Sequence, residues 1–157
     1  MSWLLLISNC TVIGHQCNCL GVMDTEIAKR ICDLYPEVYE ADQNYPIPFG
    51  EKRLGHLSCA WVKDKYVGSR LVYNLYGQHR YGRKGNYTVV RKLEQALEEM
   101  MKKIESVEDL CGEEWIKVGL PYGMGAEFVS GDWNEIMHVI EKVSNQFYRD
   151  IYLYQLQ

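Results

Sequence analysis

The chain has 157 residues, 24% of them charged, and a formal net charge of -4. That is enough sequence for one domain with a full core and no disulfide or metal staples. The acidic balance leaves no basic stripe for duplex nucleic acid or an anionic membrane surface, so neither is expected as a partner. The apolar start at residues 3–7 lacks a basic flank and is too short for a signal core or a membrane span, and it reads as a first strand. Among six cysteines only Cys17 and Cys19 are closely spaced and there is no C-x-x-C, which reads as reduced thiols of a cytoplasmic protein. No cofactor and no metal is expected.

Residues 11–16 form a second predicted strand. It runs through a Cys/Asn/Gly turn into a helix whose Ile27, Ile31 and Leu34 share one stripe, with Pro36 as its stop. A strand, loop, helix junction at the carboxyl end of a sheet is a usual ligand position, because the loop backbone and the helix N-terminus both face the crevice. Residues 35–53, with three prolines and a glycine in a polar setting, read as a surface connection. Tyr39 and Tyr45 are expected to fold back onto the body.

Residues 57–62 and 71–76 are predicted as neighbouring strands of a hairpin. The following GQHRYGRKG interleaves Gly77, Gly82 and Gly85 with His79, Arg80, Arg83 and Lys84, a basic loop at a second strand-to-helix junction. The next helix is expected from about Asn86 as cap, with Val90, Leu93, Leu97, Met100 and Ile104 as its buried stripe. A strand at 115–120 leads through PYGMGAEFVSGDW into a third helix with the stripe Trp133, Ile136, Ile140, Val143 and Phe147. A last strand follows at 151–156. Six strands and three helices in this order predict an α/β chain with a mixed sheet sandwiched by helices.

Three runs carry a resemblance: HQCNCLGVM with IAKRI at 15–31, NLYGQ…YG…NY at 74–87, and PYGMG…SGDW at 121–133. Together they resemble the macro domain family, in particular a phage and bacterial branch related to ADP-ribose phosphate processing and to deacylating ADP-ribosyl hydrolases. The resemblance implies a single three-layer α/β/α domain over 1–157 with a six-stranded mixed sheet and an ADP-ribose cleft at its carboxyl edge. It implies Asn18 facing the distal ribose, Gly21, Val22 and Met23 opening the first phosphate loop, and Gly125 to Gly131 forming the second. Gly77 and Arg80 of the basic loop complete the expected ligand contacts. A cytoplasmic location follows, the host cytoplasm for a phage protein. Oligomeric state is left open.

Where ligand contacts are expected, the chain departs from that pattern. Asp24 and Glu26 stand at both glycines of the first loop, Glu127 stands at one of the second, and Val129 and Ser130 replace smaller neighbours. Asp24, placed as helix N-cap, would take backbone donors that a pyrophosphate needs. Like charges at about 4 Å repel by about 4 kcal/mol at an effective dielectric of 20, so plain ADP-ribose is expected to bind weakly. The four acids Asp24, Glu26, Glu127 and Asp132 are weighed as a plug paired with Arg80, Arg83 and Lys84, or as ligands for a hard cation.

Asp132 with Glu135 reads as a capping pair for the third helix, and the resemblance offers Asp132 instead as an acid. His79 reads equally as an acid/base group or as an exposed loop residue. His15 reads as a strand residue with a satisfied ring. Three functions stay open: recognition of an ADP-ribose-derived nucleotide, hydrolysis of ADP-ribose phosphate or an ADP-ribosyl bond through His79 or Asp132, and a ligand-free interaction module with a closed cleft.

Overall fold

The computed structural model describes residues 4–82, 88–126 and 133–155. Its strands are β1 (Val12–Asn18), β2 (Leu57–Asp64), β3 (Gly68–Gln78), β4 (Val118–Pro121) and β5 (Ile151–Tyr154). Its helices are α1 (Glu26–Leu34), α2 (Pro36–Gln43), α3 (Val90–Cys111) and α4 (Trp133–Phe147). The strands lie in the order β2-β3-β1-β4-β5. Only the β2 and β3 hairpin is antiparallel; β3, β1, β4 and β5 run parallel. All seven residues of β1 are buried, as a central strand covered on both faces requires.

The helical stripes read from the sequence are the faces that pack, except that Leu34, expected in the α1 stripe, is exposed. On one side of the sheet Leu93, Leu97, Met100 and Ile104 of α3 and Ile136, Ile140 and Val143 of α4 meet Val12, Leu71 and Leu75. On the other, Ile27 and Ile31 of α1 and Val38 of α2 meet Ile13, Val62 and Val72. Each such side chain contributes roughly 1.5–3 kcal/mol of apolar burial, and the two clusters together set the three layers.

Three expectations need correction. Among the described residues the sheet has five strands, because Leu4–Ile7 forms a short 3-10 turn. Arg70, fully buried on β3, explains why: its guanidinium donates to the carbonyls of Leu6, Ser8 and Cys10 at 2.7–3.0 Å, which draws this segment across the sheet end.

Residues 36–43 are a helix, since Pro36 both stops α1 and sits at the first position of α2, where its missing N–H costs nothing. The fold side of α2 carries Asp42, fully buried, whose Oδ1 meets Arg53 Nη1 at 3.1 Å and accepts the Tyr76 hydroxyl at 2.6 Å. Among the described residues α3 begins at Val90, and its cap residue Val89 makes no side-chain bond. Asn86, the expected cap, lies outside the described residues.

No helix among the described residues is long and apolar enough to cross a membrane.

Candidate functional site

Parallel pairing brings the carboxyl ends of β3, β1 and β4 to one edge, so the loops that leave them meet there. Pairing slips by one residue between Cys17 and Asn18: Cys17 faces Tyr76 and Asn18 faces Gln78, which leaves Gly77 as a bulge. A bulge re-aims the residues beside it, here at the edge where a ligand would lie.

Asn18 is buried and builds the first loop. Its Oδ1 accepts the N–H groups of Leu20 at 3.0 Å and Val22 at 3.3 Å, and its amide donates to the Val22 carbonyl. Gly21, at φ 75°, is covered by the segment after α2: a methyl there would stand 2.5 Å from Phe49 Cε1, and its carbonyl accepts Gln43 Nε2 at 2.9 Å. Val22 follows, and Met23 packs on the buried Cys17, Cys19 and Tyr76.

Asp24 is not the helix cap. Thr25 is, with its hydroxyl accepting the Ala28 N–H at 3.1 Å. A threonine side chain is short enough to turn back on its own helix, and Asp24 is thereby released to reach outward. Its Oδ2 accepts the backbone N–H of Gly82 at 2.7 Å, crossing from the loop after β1 to the loop after β3. Glu26, the first residue of α1, is exposed, where its charge complements the helix dipole.

The loop after β3 is held to the first loop a second time by the Cys19 N–H, which donates to the His79 carbonyl at 3.0 Å. The His79 ring is partly exposed and its Nδ1 lies 3.4 Å from Glu51 Oε1. Arg80 is exposed and makes no ion pair among the described residues, while its carbonyl accepts Gln78 Nε2 at 3.0 Å. Among the described residues Asp24 meets a backbone amide and neither Glu26 nor Arg80 joins it; Arg83 and Lys84, further members of the expected plug, lie outside them. No group of three metal-ligating side chains occurs among the described residues.

Beneath the loops runs a brace that the sequence did not announce. Gln16 Nε2 donates to Gln78 Oε1 at 2.7 Å and to Thr88 Oγ1 at 2.9 Å, and Thr88 Oγ1 donates to the Gly125 carbonyl at 2.5 Å. Gly125, at φ 83°, and the bulged Gly77 both lie over Gln16; a methyl on Gly77 would stand 2.4 Å from Gln16 Oε1. That oxygen is buried with no partner among the described residues. The local hint was Gln16 itself, a polar amide on a predicted strand, and it does not name its partners. Glu127, Ser130, Gly131 and Asp132 lie outside the described residues.

A longer polar chain lies on the α2 side. His15 Nε2 donates to Asn74 Oδ1 at 2.7 Å, and Asn74 Nδ2 donates to Ser58 Oγ at 3.0 Å. Ser58 Oγ is 2.8 Å from the Tyr76 hydroxyl, which itself donates to Asp42. Burial lowers the pKa of His15 to about 4 against the opposing bond to Asn74, so the ring is neutral at pH 7. Burial raises Asp42, while the Tyr76 hydroxyl and the Arg53 guanidinium pull it back. Arg53 closes the chain, its Cζ 4.4 Å from the centre of the Phe49 ring that covers Gly21.

No protein-family model and no curated protein matches the chain. Solved structures do. The macrodomain of Thermus aquaticus DarG matches with a TM-score of 0.72 and 15% identity, over 97% of this chain and 93% of that one. The macrodomain of Mycobacterium tuberculosis DarG matches with a TM-score of 0.71 and 16% identity, over 98% and 93%. Thermosipho africanus DarTG, solved in complex with ADP-ribose, matches with a TM-score of 0.67 and 14% identity, over 95% of this chain and 39% of that longer one. The chain has the macrodomain fold.

Proposed function

We propose that the carboxyl edge of the sheet recognises an ADP-ribose-derived or related nucleotide and grips plain ADP-ribose weakly. Support for a ligand of this class comes from the fold, since one structural neighbour was solved with ADP-ribose. Weak grip on plain ADP-ribose rests on one observation, the Asp24 carboxylate lodged between two loops with the Gly82 N–H already bound to it. A built-in anion competes with a pyrophosphate for donors and repels it. Six free thiols suit a reducing compartment, and the cytoplasm is the location that goes with this reading.

Calorimetric titration with ADP-ribose tests it. The triple variant Asp24→Gly, Glu26→Gly, Glu127→Gly should bind at least about tenfold more tightly than the native chain, equivalent to about 1.4 kcal/mol. An unchanged affinity overturns the argument from built-in anions.

A second reading, hydrolysis of ADP-ribose phosphate or an ADP-ribosyl bond, is favoured by the His79 and Glu51 pair beside Cys19. A carboxylate that orients an imidazole at a ligand edge is a general acid/base arrangement. Turnover that persists in both His79→Ala and Asp132→Ala removes these two residues from the acid/base role, and no turnover by the native chain removes the reading itself.

A further inference from the structure

At the amino edge of the sheet, the far end from Asn18, a second pocket of about 330 Å³ opens between the 3-10 turn, α1 and the β2 to β3 turn. Its walls are apolar, with Leu6, Ile7 and Leu34, and the latter two are 44% and 56% exposed. Lys63 and Lys65 stand at its rim with Tyr66, and neither lysine has a carboxylate partner among the described residues. The single acid in the lining, Asp64, is turned inward. Its Oδ1 accepts from the Tyr35 hydroxyl and from Arg70 at 3.1 Å, and its Oδ2 accepts the N–H groups of Tyr66 at 2.8 Å and Val67 at 3.0 Å. Its charge is spent on the protein, so the field at the mouth is positive on a chain whose net charge is -4.

The walls are also held in place before any ligand arrives. Arg70, which neutralises Asp64, carries the 3-10 turn through the Leu6 and Ser8 carbonyls and contacts the Tyr35 hydroxyl at 2.9 Å, so one buried guanidinium ties three sides of the pocket together. Apolar walls with a few placed charges, at the small end of the usual ligand-pocket range, define what fits. We propose that this pocket binds a small amphipathic carboxylate, its aliphatic or aryl body against Leu6, Ile7 and Leu34 and its carboxylate at Lys63 and Lys65. This is separate from the nucleotide reading, which concerns the opposite edge.

Octanoate, octanol and octylamine serve as probes in a two-dimensional amide NMR titration of the full chain. Octanoate should give saturable shifts at Ile7, Leu34 and Tyr66, with octanol at least about tenfold weaker and octylamine without effect. The exposed double variant Lys63→Glu, Lys65→Glu should lose at least about tenfold in octanoate affinity with an unchanged unfolding midpoint. Equal binding of octanoate and octanol, shifts that map elsewhere, or an unchanged affinity in the folded double variant would overturn the proposal. Because the readout lies at the amino edge, an ADP-ribose titration of the same variant separates its failure from failure at Asn18.

Discussion

Gly82 donates its backbone N–H to Asp24 Oδ2 across 2.7 Å, and that contact joins two loops that leave different strands. The bond is charge-assisted and half-exposed, so screening reduces it to about 1 kcal/mol. In Asp24→Ala the Gly82 amide should exchange about fivefold faster, the equivalent of that energy, while helix α1 keeps its Thr25 cap. Thr25→Ala should instead cost about 1 kcal/mol of global stability with little change at Gly82. Hydrogen exchange read by NMR distinguishes the two.

Gly21 tests how tightly the first loop is covered. At φ 75° an alanine is strained, and its methyl would stand 2.5 Å from Phe49 Cε1. Phe49 is 47% exposed and is able to swing aside, so Gly21→Ala should cost about 2 kcal/mol rather than more. Urea unfolding of Gly21→Ala, Phe49→Leu and the double variant should show the double costing less than the sum, because Phe49→Leu removes the clash but not the backbone strain.

Arg53 and Asp42 are buried together as an ion pair, and the Tyr76 hydroxyl shares in compensating the carboxylate. Arg53→Met leaves a carboxylate without its cation in the interior, and should cost about 3–5 kcal/mol in urea unfolding. Adding Asp42→Asn should return part of that loss. A double variant as unstable as Arg53→Met would mean that the aromatic contacts of Arg53, not its charge, hold the segment.

His15 sets a pH dependence with a definite sign. Its pKa is lowered by burial to about 4 in the folded chain, from 6.5 in the unfolded one, so between these values the unfolded chain binds more protons. Stability from this group is complete above pH 6.5 and is lost as pH falls toward 4, by on the order of 3 kcal/mol. The difference between the native chain and His15→Gln, followed by urea unfolding from pH 7 down to 4, should shrink as the pH falls across that window.

Much of the architecture was legible because burial is periodic. The stripes of α3 and α4 and the hairpin of β2 and β3 are all carried by local spacing, whereas Asn18, read in the turn after a strand ending at residue 16, is the last residue of β1. The 3-10 turn was misread because a short apolar run has no period of its own, and what bends it is an arginine far along the chain. Pro36 carried two meanings, and only one was taken. Asp24 and Thr25 are both good caps, and neighbours of equal propensity are separated only by what else each side chain reaches. The Gln16, Gln78, Thr88 brace and the pairing of Asp42 with Arg53 are contacts between segments, and no local pattern encodes them.

The mooring of the amino-terminal turn by Arg70 also sets an order of events in folding. Leu6, Ser8 and Cys10 wait for a guanidinium 64, 62 and 60 residues later in the chain. Contacts of such sequence separation carry a loop-closure cost and form after the local hairpin that bears the arginine. During synthesis this turn leaves the ribosome well before its anchor exists. The segment made early is secured late.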